Sequence, residues 1–305
     1  MSILVVGSVA FDSVETPFGK AEEVLGGSAS YFSLAASFFA SVRLVAVVGE
    51  DFPEDHLQLF RDFSIDIRGL QQSPGKTFRW KGEYGYALNE ARTLDTRLNV
   101  FETFSPRIPD PYRKSDCVFL GNIDPVLQAG VLSQVEKPRF VACDTMNYWI
   151  ESKPDELRET LGRVDILIIN DAEVRMLTGE HNLTRAARRI ADWGPKTLVV
   201  KKGEYGVAMY HGGSIFGAPA FPLEEVFDPT GAGDSFAGGL VGYLARSKAL
   251  NDESLRQAVI YGSAMASFNV EDFSLNRLRT LKASDIRRRF LQFKELTHFE
   301  AENSL

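Results

Sequence analysis

Six short apolar runs constrain the fold of this chain more than any other feature of its sequence. They are continuous rather than alternating, and each is bounded by Gly, Asp or a charged residue. The six runs are ILVVG (3–7), RLVAVVG (43–49), CVFLG (117–121), RFVACD (139–144), DILIIN (165–170) and TLVVKKG (197–203). Continuous apolar runs of this length are typical of strands that are buried on both faces. The chain is therefore expected to build a central sheet that other elements cover on both sides.

Segments with helical periodicity lie between or after these runs. Apolar residues recur at three- and four-residue spacing in SASYFSLAASFF (28–39), DAEVRMLTG (171–179), LTRAARRIADWG (183–194) and DSFAGGLVGYLARSKAL (234–250). Strands that alternate with such helices predict an α/β fold with a mostly parallel sheet. In folds of this class the ligands bind at the carboxyl ends of the strands.

Residues 76–104 break this rhythm. The segment is rich in aromatic residues, Thr and charges, and its apolar residues alternate with polar ones, as at Phe78 and Trp80 and as far as Val100. Alternation predicts an antiparallel sheet with one exposed face, joined by about residues 11–25. We expect this sheet to form a small β lid over the main domain. An edge hairpin without a role in ligand binding is the alternative.

The composition, with 44% hydrophobic and 25% charged residues, is that of an ordinary globular protein, and we expect residues 1–305 to form a single domain. Asp and Glu total 41 against 34 Lys and Arg. This balance argues against a large basic surface, so no nucleic-acid partner is expected.

The sequence also predicts no membrane segment and no metal or disulfide role for its cysteines. The longest uncharged apolar stretch, 29–42, is shorter than the about 20 residues that span a bilayer. The N-terminus lacks the basic region of a signal peptide, so a cytoplasmic location is expected. Cys117 and Cys143 each lie in an apolar run, where a thiol usually behaves as a small hydrophobic group.

One turn places two glycines and an aspartate directly before a helical segment, in VFDPTGAGDSFAGGLV (226–241). Gly231 and Gly233 allow the backbone to approach a ligand closely. The start of a helix leaves N–H groups unpaired and carries a partial positive charge, so this turn suits a phosphate-sized anion. Taken alone, Asp234 could be only a first-turn charge that the helix dipole favours.

Two further glycines, Gly238 and Gly239, lie inside the predicted helix. A glycine in a helix interior costs about 1 kcal/mol relative to alanine. Their presence therefore indicates that the helix packs closely, and we expect it to pack against the sheet.

Several segments together resemble the ribokinase-like (PfkB) family of carbohydrate and nucleoside kinases. DPTGAGDSFAGGLV (228–241) resembles the C-terminal signature of the family. VVGSVAFDSV (5–14) resembles the first strand of the family, and LGGSASYFSLAA (25–36) resembles its Gly-Gly segment. NDAE (170–173) resembles its Asn-x-x-Glu motif, and VVKKGEYGV (199–207) resembles its strand that approaches the nucleotide. The resemblance covers nearly the whole chain, and the P-loop, dinucleotide-binding and zincin motifs are absent.

The resemblance implies a three-layer α/β/α fold and a kinase that uses ATP and Mg²⁺. It identifies Asp234 as the base that takes the proton of the acceptor hydroxyl. It also implies that the turn 231–234 is the anion hole for the transferring phosphate, formed by Gly231, Ala232, Gly233 and Asp234. Asn170 and Glu173 resemble the motif that organises Mg²⁺ mostly through water. For Glu173 alone, an exposed charge at a helix start is the alternative.

The resemblance also assigns residues to the two substrates. Those that bind the hydroxyls of the acceptor are Asp12, Gly26, Gly27 and Asp124. Those on the nucleotide side are Asn170, Lys201, Gly203, Gly206, Ser263 and Ser267. Asp228 resembles part of a loop that binds a monovalent cation, such as K⁺, in some members. By itself Asp12 could be only a turn residue, and the two serines could lie in a closely packed helix.

Tyr31 departs from the family pattern, because many members have an Asn that bonds the sugar at this position. Tyr keeps one hydroxyl but lacks the paired donor and acceptor of an amide. Its ring, with Trp80, Tyr84 or Tyr86 of the predicted lid, could stack on a nucleobase. Packing of Tyr31 into the core is the alternative.

These observations predict an ATP-dependent kinase that phosphorylates a hydroxymethyl group of a sugar or sugar derivative. The alternatives are a nucleoside kinase of the same family and a non-catalytic sensor of nucleotide or sugar. A dehydrogenase is disfavoured because the glycine fingerprint for a dinucleotide is absent. A homodimer could form through the lid, and RRRF (287–290) is expected to be a solvated helix face.

Overall fold

A computed structural model describes residues 1–300 of the chain. The strands within these residues are β1 (Ser2–Val6), β2 (Ala10–Thr16), β3 (Gly19–Gly26), β4 (Ser41–Gly49), β5 (Asp66–Ser73), β6 (Phe78–Tyr84), β7 (Ala91–Arg97), β8 (Cys117–Leu120), β9 (Phe140–Cys143), β10 (Ile166–Asn170), β11 (Thr197–Lys201), β12 (Val207–His211) and β13 (Ser214–Ala218). The helices are α1 (Ser28–Ser37), α2 (Glu54–Asp62), α3 (Asp110–Arg113), α4 (Pro125–Leu132), α5 (Asn147–Ser152), α6 (Pro154–Leu161), α7 (Asp171–Thr178), α8 (Leu183–Trp193), α9 (Ala232–Arg246), α10 (Asp252–Asn269), α11 (Asn276–Arg279) and α12 (Ala283–Thr297).

Nine strands form the central sheet, in the order β13-β12-β11-β10-β9-β8-β1-β4-β5. The seven strands from β11 to β5 are parallel to one another, and β12 and β13 extend the sheet as an antiparallel hairpin. All six apolar runs are strands of this sheet, so the predicted mostly parallel sheet is confirmed. No helix within residues 1–300 is both long enough and apolar enough to cross a membrane.

Two apolar cores lie on opposite faces of this sheet. In β1, Ile3 and Val5 point into one core, whereas Leu4 and Val6 point into the other. Helices α1, α2, α9, α10, α11 and α12 contribute buried residues to the first core, and α3 to α8 contribute them to the second. The fold therefore has the three-layer α/β/α architecture that the resemblance implied.

The interior glycines of α9 let it pack between two other helices. A Cβ added to Gly238 would lie 2.5 Å from the carbonyl oxygen of Phe32 in α1. A Cβ on Gly239 would lie 2.7 Å from the carbonyl oxygen of Tyr261 in α10. The close packing is as expected, but the partners are helices rather than the sheet.

Four strands form a second sheet, in the order β3-β2-β6-β7. The pairs β2–β3 and β6–β7 are antiparallel, as expected, whereas the added strand β2 pairs with β6 in parallel. The reason is topological: β2 follows β1 and β6 follows β5, and β1 and β5 run in the same direction. The segments that lead from β1 to β2 and from β5 to β6 therefore both leave the main sheet at the carboxyl ends of its parallel strands.

This second sheet ends earlier than the alternating pattern indicated. Strand β7 stops at Arg97, and residues 99–103 form a 3-10 helix whose Val100 is buried against the main domain. That residues 1–305 form a single domain stays a prediction, since residues 301–305 lie outside the described part of the chain.

The RRRF segment is not uniformly solvated. The side chain of Arg288 is 66% exposed, whereas that of Arg289 is only 11% exposed. The prediction for this segment was therefore wrong at Arg289, whose partners come from distant parts of the sequence.

Candidate active site

The carboxyl ends of three neighbouring strands bring charged side chains together. Asp144 follows β9, Asn170 ends β10 and Lys201 ends β11. The ammonium of Lys201 donates to Oδ2 of Asp144 at 3.4 Å. Asp144 was not among the predicted site residues. Its only signal in the sequence is its place at the end of the run RFVACD, where a carboxylate reaches the ligand-binding edge of the sheet.

The N-terminus of α9 faces this cluster. Gly231 precedes the helix with φ of 74°, in the left-handed region that favours glycine. No side chain among residues 1–300 caps the helix. The N–H of Ala232 donates to the carbonyl of Pro229 at 3.1 Å, so this member of the predicted anion hole is already bonded. The N–H groups of Gly233 and Asp234 remain as donors for an anion.

The ammonium of Lys201 lies against this turn. A Cβ added to Gly233 would lie 2.9 Å from Nζ of Lys201. Burial opposes a charge on this side chain, but the carboxylates of Asp144 and Glu173 raise its pKa on balance. A positive charge and the positive end of a helix therefore meet at one point, as a phosphate site requires.

Asp234 is half-buried beside the same cluster. Burial, followed by the nearby Asp144 and Glu173 carboxylates, raises the pKa of its carboxyl group to about 7, although Lys201 acts in the opposite direction. A carboxyl group with a pKa near neutrality can take up and release a proton under physiological conditions.

Asn170 and Glu173 form a capping box at the start of α7. The N–H of Glu173 donates to Oδ1 of Asn170, and the N–H of Asn170 donates to Oε2 of Glu173, each at 2.8 Å. Burial, followed by the charge of Asp144, raises the pKa of Glu173 to about 7. Within residues 1–300 no three His, Cys, Asp or Glu side chains are grouped so that they could hold a metal directly.

This charge pattern fits a hydrated cation and a polyphosphate. Burial raises the pKa values of Asp144 and Glu173, so a nearby cation would stabilise their ionised forms. Mg²⁺ usually keeps several of its waters and needs few direct carboxylate ligands. The residues present therefore suit Mg²⁺ held mainly through water, next to the free N–H groups of the α9 turn.

Asp12, Gly26 and Gly27 lie together on the lid side of the turn. The N–H of Gly27 donates to Oδ2 of Asp12 at 3.4 Å. A Cβ on Gly26 would lie 1.9 Å from the same oxygen, so only glycine leaves room for this carboxylate. Burial raises the pKa of Asp12 to about 7, the Gly27 N–H lowers it, and the charges of Asp228 and Asp234 raise it further.

Tyr31 lies beneath the turn and is only 1% exposed. Its ring occupies the space next to Gly231, where an added Cβ would lie 2.4 Å from the ring. The hydroxyl has no hydrogen-bond partner within the described residues. Burial and the charges of Asp12 and Asp228 raise its pKa well above the usual range. The ring therefore packs in the core, as the alternative prediction had it, and its hydroxyl is buried without a partner among the described residues.

The lid sheet covers this side of the turn with aromatic residues. Trp80 is in register with Asp12 on the neighbouring strand, so both side chains lie on one face of the sheet. The indole lies over Gly82, where a Cβ would be 2.3 Å from Cη2. The hydroxyl of Thr230, in the turn before α9, donates to the hydroxyl of Tyr84 at 3.3 Å. These contacts place the Asp12 face of the lid over the turn.

Asp124 and Asp228 are engaged in local structure. Asp124 caps α4 by accepting from the N–H of Val126 at 2.9 Å, and its other oxygen pairs with Lys153. Asp228 is buried and accepts from the N–H of Thr230 at 2.8 Å. Its second oxygen accepts from the N–H of Ser274 at 3.3 Å. Substrate binding by Asp124 and cation binding by Asp228 stay predictions.

A cleft of about 640 Å³ opens on the other side of the turn. Among its lining residues are all six that were predicted to bind the nucleotide and two residues of the turn, namely Asn170, Lys201, Gly203, Gly206, Ser263, Ser267, Ala232 and Gly233. The sequence analysis missed the apolar wall, which includes Phe221, Leu223, Val226, Phe236 and Val270, and the lid residues Leu88 and Asn89. Tyr86, which was predicted to lie beside Tyr31, lines this cleft. The predicted nucleotide residues thus lie in one cleft that reaches Ala232 and Gly233 at the start of α9.

Comparison with known proteins gives a consistent picture. The model of the pfkB family of carbohydrate kinases matches residues 2–280. The chain is 33% identical over 260 residues to a cytidine kinase of Thermococcus kodakarensis, covering 83% of this chain and 91% of that protein. It is 32% identical over 290 residues to a nucleoside kinase of Methanothermobacter thermautotrophicus, covering 88% and 89%.

The fold agrees with these matches. The structure of a nucleoside kinase from Methanocaldococcus jannaschii superposes with a TM-score of 0.76 at 18% identity, covering 95% of this chain and 98% of that chain. The segment that the family model matches, residues 2–280, includes both the lid strands and the turn before α9. The chain therefore belongs to the pfkB family of carbohydrate kinases, which are phosphotransferases with an alcohol group as acceptor.

Proposed function

We propose that this protein transfers the γ-phosphate of ATP to the hydroxymethyl group of a nucleoside. The position of Asp234 carries the proposal. Asp234 lies in the first turn of α9, directly after Gly233, which contacts the Lys201 ammonium on the cleft side. Its charge also acts on Asp12 on the lid side, where it raises the pKa. Transfer from ATP to an alcohol needs a carboxylate at such a junction.

In this proposal Asp234 accepts the proton of the acceptor hydroxyl. The acceptor oxygen bonds to the γ-phosphorus while the bond from that phosphorus to the β–γ bridging oxygen breaks, and ADP leaves with that electron pair. A positioned general base contributes about 10² to 10⁴ in rate. Asp12 and the Gly26–Gly27 backbone orient the acceptor.

The N–H groups of Gly233 and Asp234 and the ammonium of Lys201 stabilise the charge on the transferring phosphoryl group. Asn170, Glu173 and Asp144 would hold Mg²⁺ through water. When bound, Mg²⁺ neutralises part of the charge on the β- and γ-phosphates.

Two observations favour a nucleoside as the acceptor over a free sugar. The half-buried Trp80 and Tyr84 lie on the same face of the lid as Asp12, and aromatic rings can stack on a base. Two relatives that match most of this chain are named a cytidine kinase and a nucleoside kinase. A free sugar is the second candidate, because the matching family is described as carbohydrate kinases and Asp12 suits sugar hydroxyls in either acceptor.

The test is ADP release from Mg-ATP across pyrimidine nucleosides, purine nucleosides, pentoses and hexoses, with identification of the phosphorylated product by mass spectrometry. We expect turnover with at least one nucleoside. Asp234→Asn should abolish turnover and change ATP affinity by no more than a few-fold, because it removes the base without emptying the cleft.

The outcomes separate the candidates. Turnover with free sugars alone would replace the nucleoside by a sugar. ATP binding without turnover on any acceptor would favour the non-catalytic sensor. Full turnover by Asp234→Asn would refute the assignment of the base.

A further inference from the structure

The most buried cation of α12 lies behind the nucleotide cleft. Arg289 is only 11% exposed, although it sits in a run of three arginines. It lies beyond residue 280, where the match to the family model ends. A buried guanidinium needs partners for its charge and for its donors.

The guanidinium of Arg289 contacts two aromatic rings and two oxygen acceptors. The carbon Cζ lies 4.1 Å from the centre of the Phe221 ring and 4.1 Å from the centre of the Phe268 ring. The group donates to Oγ of Ser267 at 2.6 Å and to Oε1 of Glu271 at 2.7 Å. Only arginine combines flat stacking on aromatic rings with several donors in fixed directions.

Two of these partners, Phe221 and Ser267, line the cleft. Phe221 lies in the irregular segment between β13 and α9, where its neighbour Pro222 is exposed. No backbone ladder of a helix or strand holds this segment in place. The ring of Phe221 instead contacts α12, through Arg289 and through Phe293 at 5.3 Å.

We propose that Arg289 is a positioning residue for the phosphate donor. It fixes Phe221 and the Ser267 hydroxyl as the wall of the cleft that takes the flat base of the nucleotide. The inference rests on the proposed function in that ATP occupies this cleft. It adds that α12, outside the matched family segment, controls the affinity for ATP.

The test compares Arg289→Met with Arg288→Met as the matched control. Arg288 is 66% exposed and its described ion pair is with Asp285 on its own helix. We expect Arg289→Met to raise the Kd and KM for Mg-ATP about tenfold or more, because Phe221 and the Ser267 hydroxyl would no longer be held in place as the cleft wall. The acceptor KM and the kcat at saturating ATP should stay within about twofold, because Asp12 and Asp234 are untouched.

A second variant separates positioning from general stabilisation. Arg289→Lys keeps a cation for Glu271 but lacks the planar guanidinium that stacks on the two rings. We therefore expect Arg289→Lys to have the Tm of the unmodified protein but the low ATP affinity of Arg289→Met. If Arg289→Met does not fold, Phe221→Ala removes the ring of the wall and should give the same selective loss of ATP affinity.

Two results would overturn the inference. One is unchanged ATP affinity in the folded Arg289→Met and Phe221→Ala proteins. The other is recovery of both Tm and ATP affinity by Arg289→Lys, which would make Arg289 a purely structural cation. If the unmodified protein itself fails to bind Mg-ATP, the proposed function fails instead.

Discussion

At the scale of single residues, the pKa of Asp234 links the structure to the rate of the proposed reaction, in which Asp234 is the general base. A general base must be unprotonated, and burial with the nearby Asp144 and Glu173 carboxylates raises this pKa to about 7. We therefore expect kcat/KM for the acceptor to rise with pH through about 7 and to level off above it. The measurement is a pH–rate profile of kcat/KM. A profile that is flat across this range would contradict the expectation.

Within residues 1–300, Lys201 is the one cation that acts on Asp144, Glu173 and Asp234 alike. In the proposed reaction, Lys201→Met removes a stabilising charge from the transferring phosphate, and we therefore expect kcat to fall about 10²- to 10³-fold. Its neighbour Lys202 offers a matched control, because Lys202→Met changes the same side chain one residue beyond the strand. Steady-state kinetics with both variants checks this. Equal effects of the two changes would show that Lys201 has no special role.

The residues that sequence reasoning found and missed differ in a physical way. Gly231 and Gly233 were predicted because an anion site at a helix start needs a backbone that can approach its ligand closely, whereas the role of Asp234 was implied by the family resemblance. Asp144 was missed because one carboxylate at a strand end has no neighbouring motif, and its role depends on Lys201 two strands away in the sheet. Arg289 was misread because its aromatic partners lie far away in the sequence.

At the scale of elements, the tip of the β6–β7 hairpin closes over the nucleotide cleft. The amide of Asn89 donates to Glu204 Oε1 and accepts from the Glu204 N–H, each at 3.2 Å. A Cβ on Gly203 would lie 1.8 Å from the same amide, so the tip rests on the turn after β11. The lid therefore contacts both the acceptor side and the nucleotide side.

Asn89→Ala should loosen this contact. Two exposed hydrogen bonds, each worth roughly 0.5 to 1.5 kcal/mol, are lost between the tip and the turn after β11. Because these bonds hold the lid and not ATP itself, only part of this energy should appear in the KM for ATP, and we expect that KM to rise by about three- to tenfold. Glu90→Ala changes the next exposed residue of the tip and is the control. ATP titrations at saturating acceptor give the result. An unchanged KM in Asn89→Ala would mean that the tip does not contribute to nucleotide binding.

Elements were predictable where burial is two-sided. The six continuous runs became strands because each is covered on both faces, whereas β5, with the sequence DIRGLQQS, is a polar edge strand that carries no such pattern. Strands β12 and β13 flank a Gly212–Gly213 turn with alternating burial at the opposite edge. The parallel pairing of β2 with β6 could not be read from local sequence, because it follows from where β1 and β5 end.

At the scale of the whole molecule, the site makes the ligand-free protein less stable as pH rises. Asp12, Glu173 and Asp234 each have a pKa of about 7 in the folded chain, well above the range of about 4 for an unfolded carboxyl group. Between these two values the folded state binds more protons than the unfolded state. By linkage, the contribution of these groups to the free energy of unfolding then decreases as pH rises from about 4 to about 7.

Asp234→Asn isolates one of these contributions, because the amide cannot ionise. We expect the variant to be more stable than the unmodified protein at about pH 8 and to lose most of this advantage at about pH 5, where Asp234 is protonated in the folded state. Urea unfolding of both ligand-free proteins at the two pH values measures the difference. Because Lys201 loses a favourable neighbour in the variant, Asp12→Asn serves as a parallel change without that contact. If neither variant becomes more stable relative to the unmodified protein as pH rises, the carboxylates are not in an unfavourable environment. The charge pattern would then give no support to a site for a cation and a phosphate.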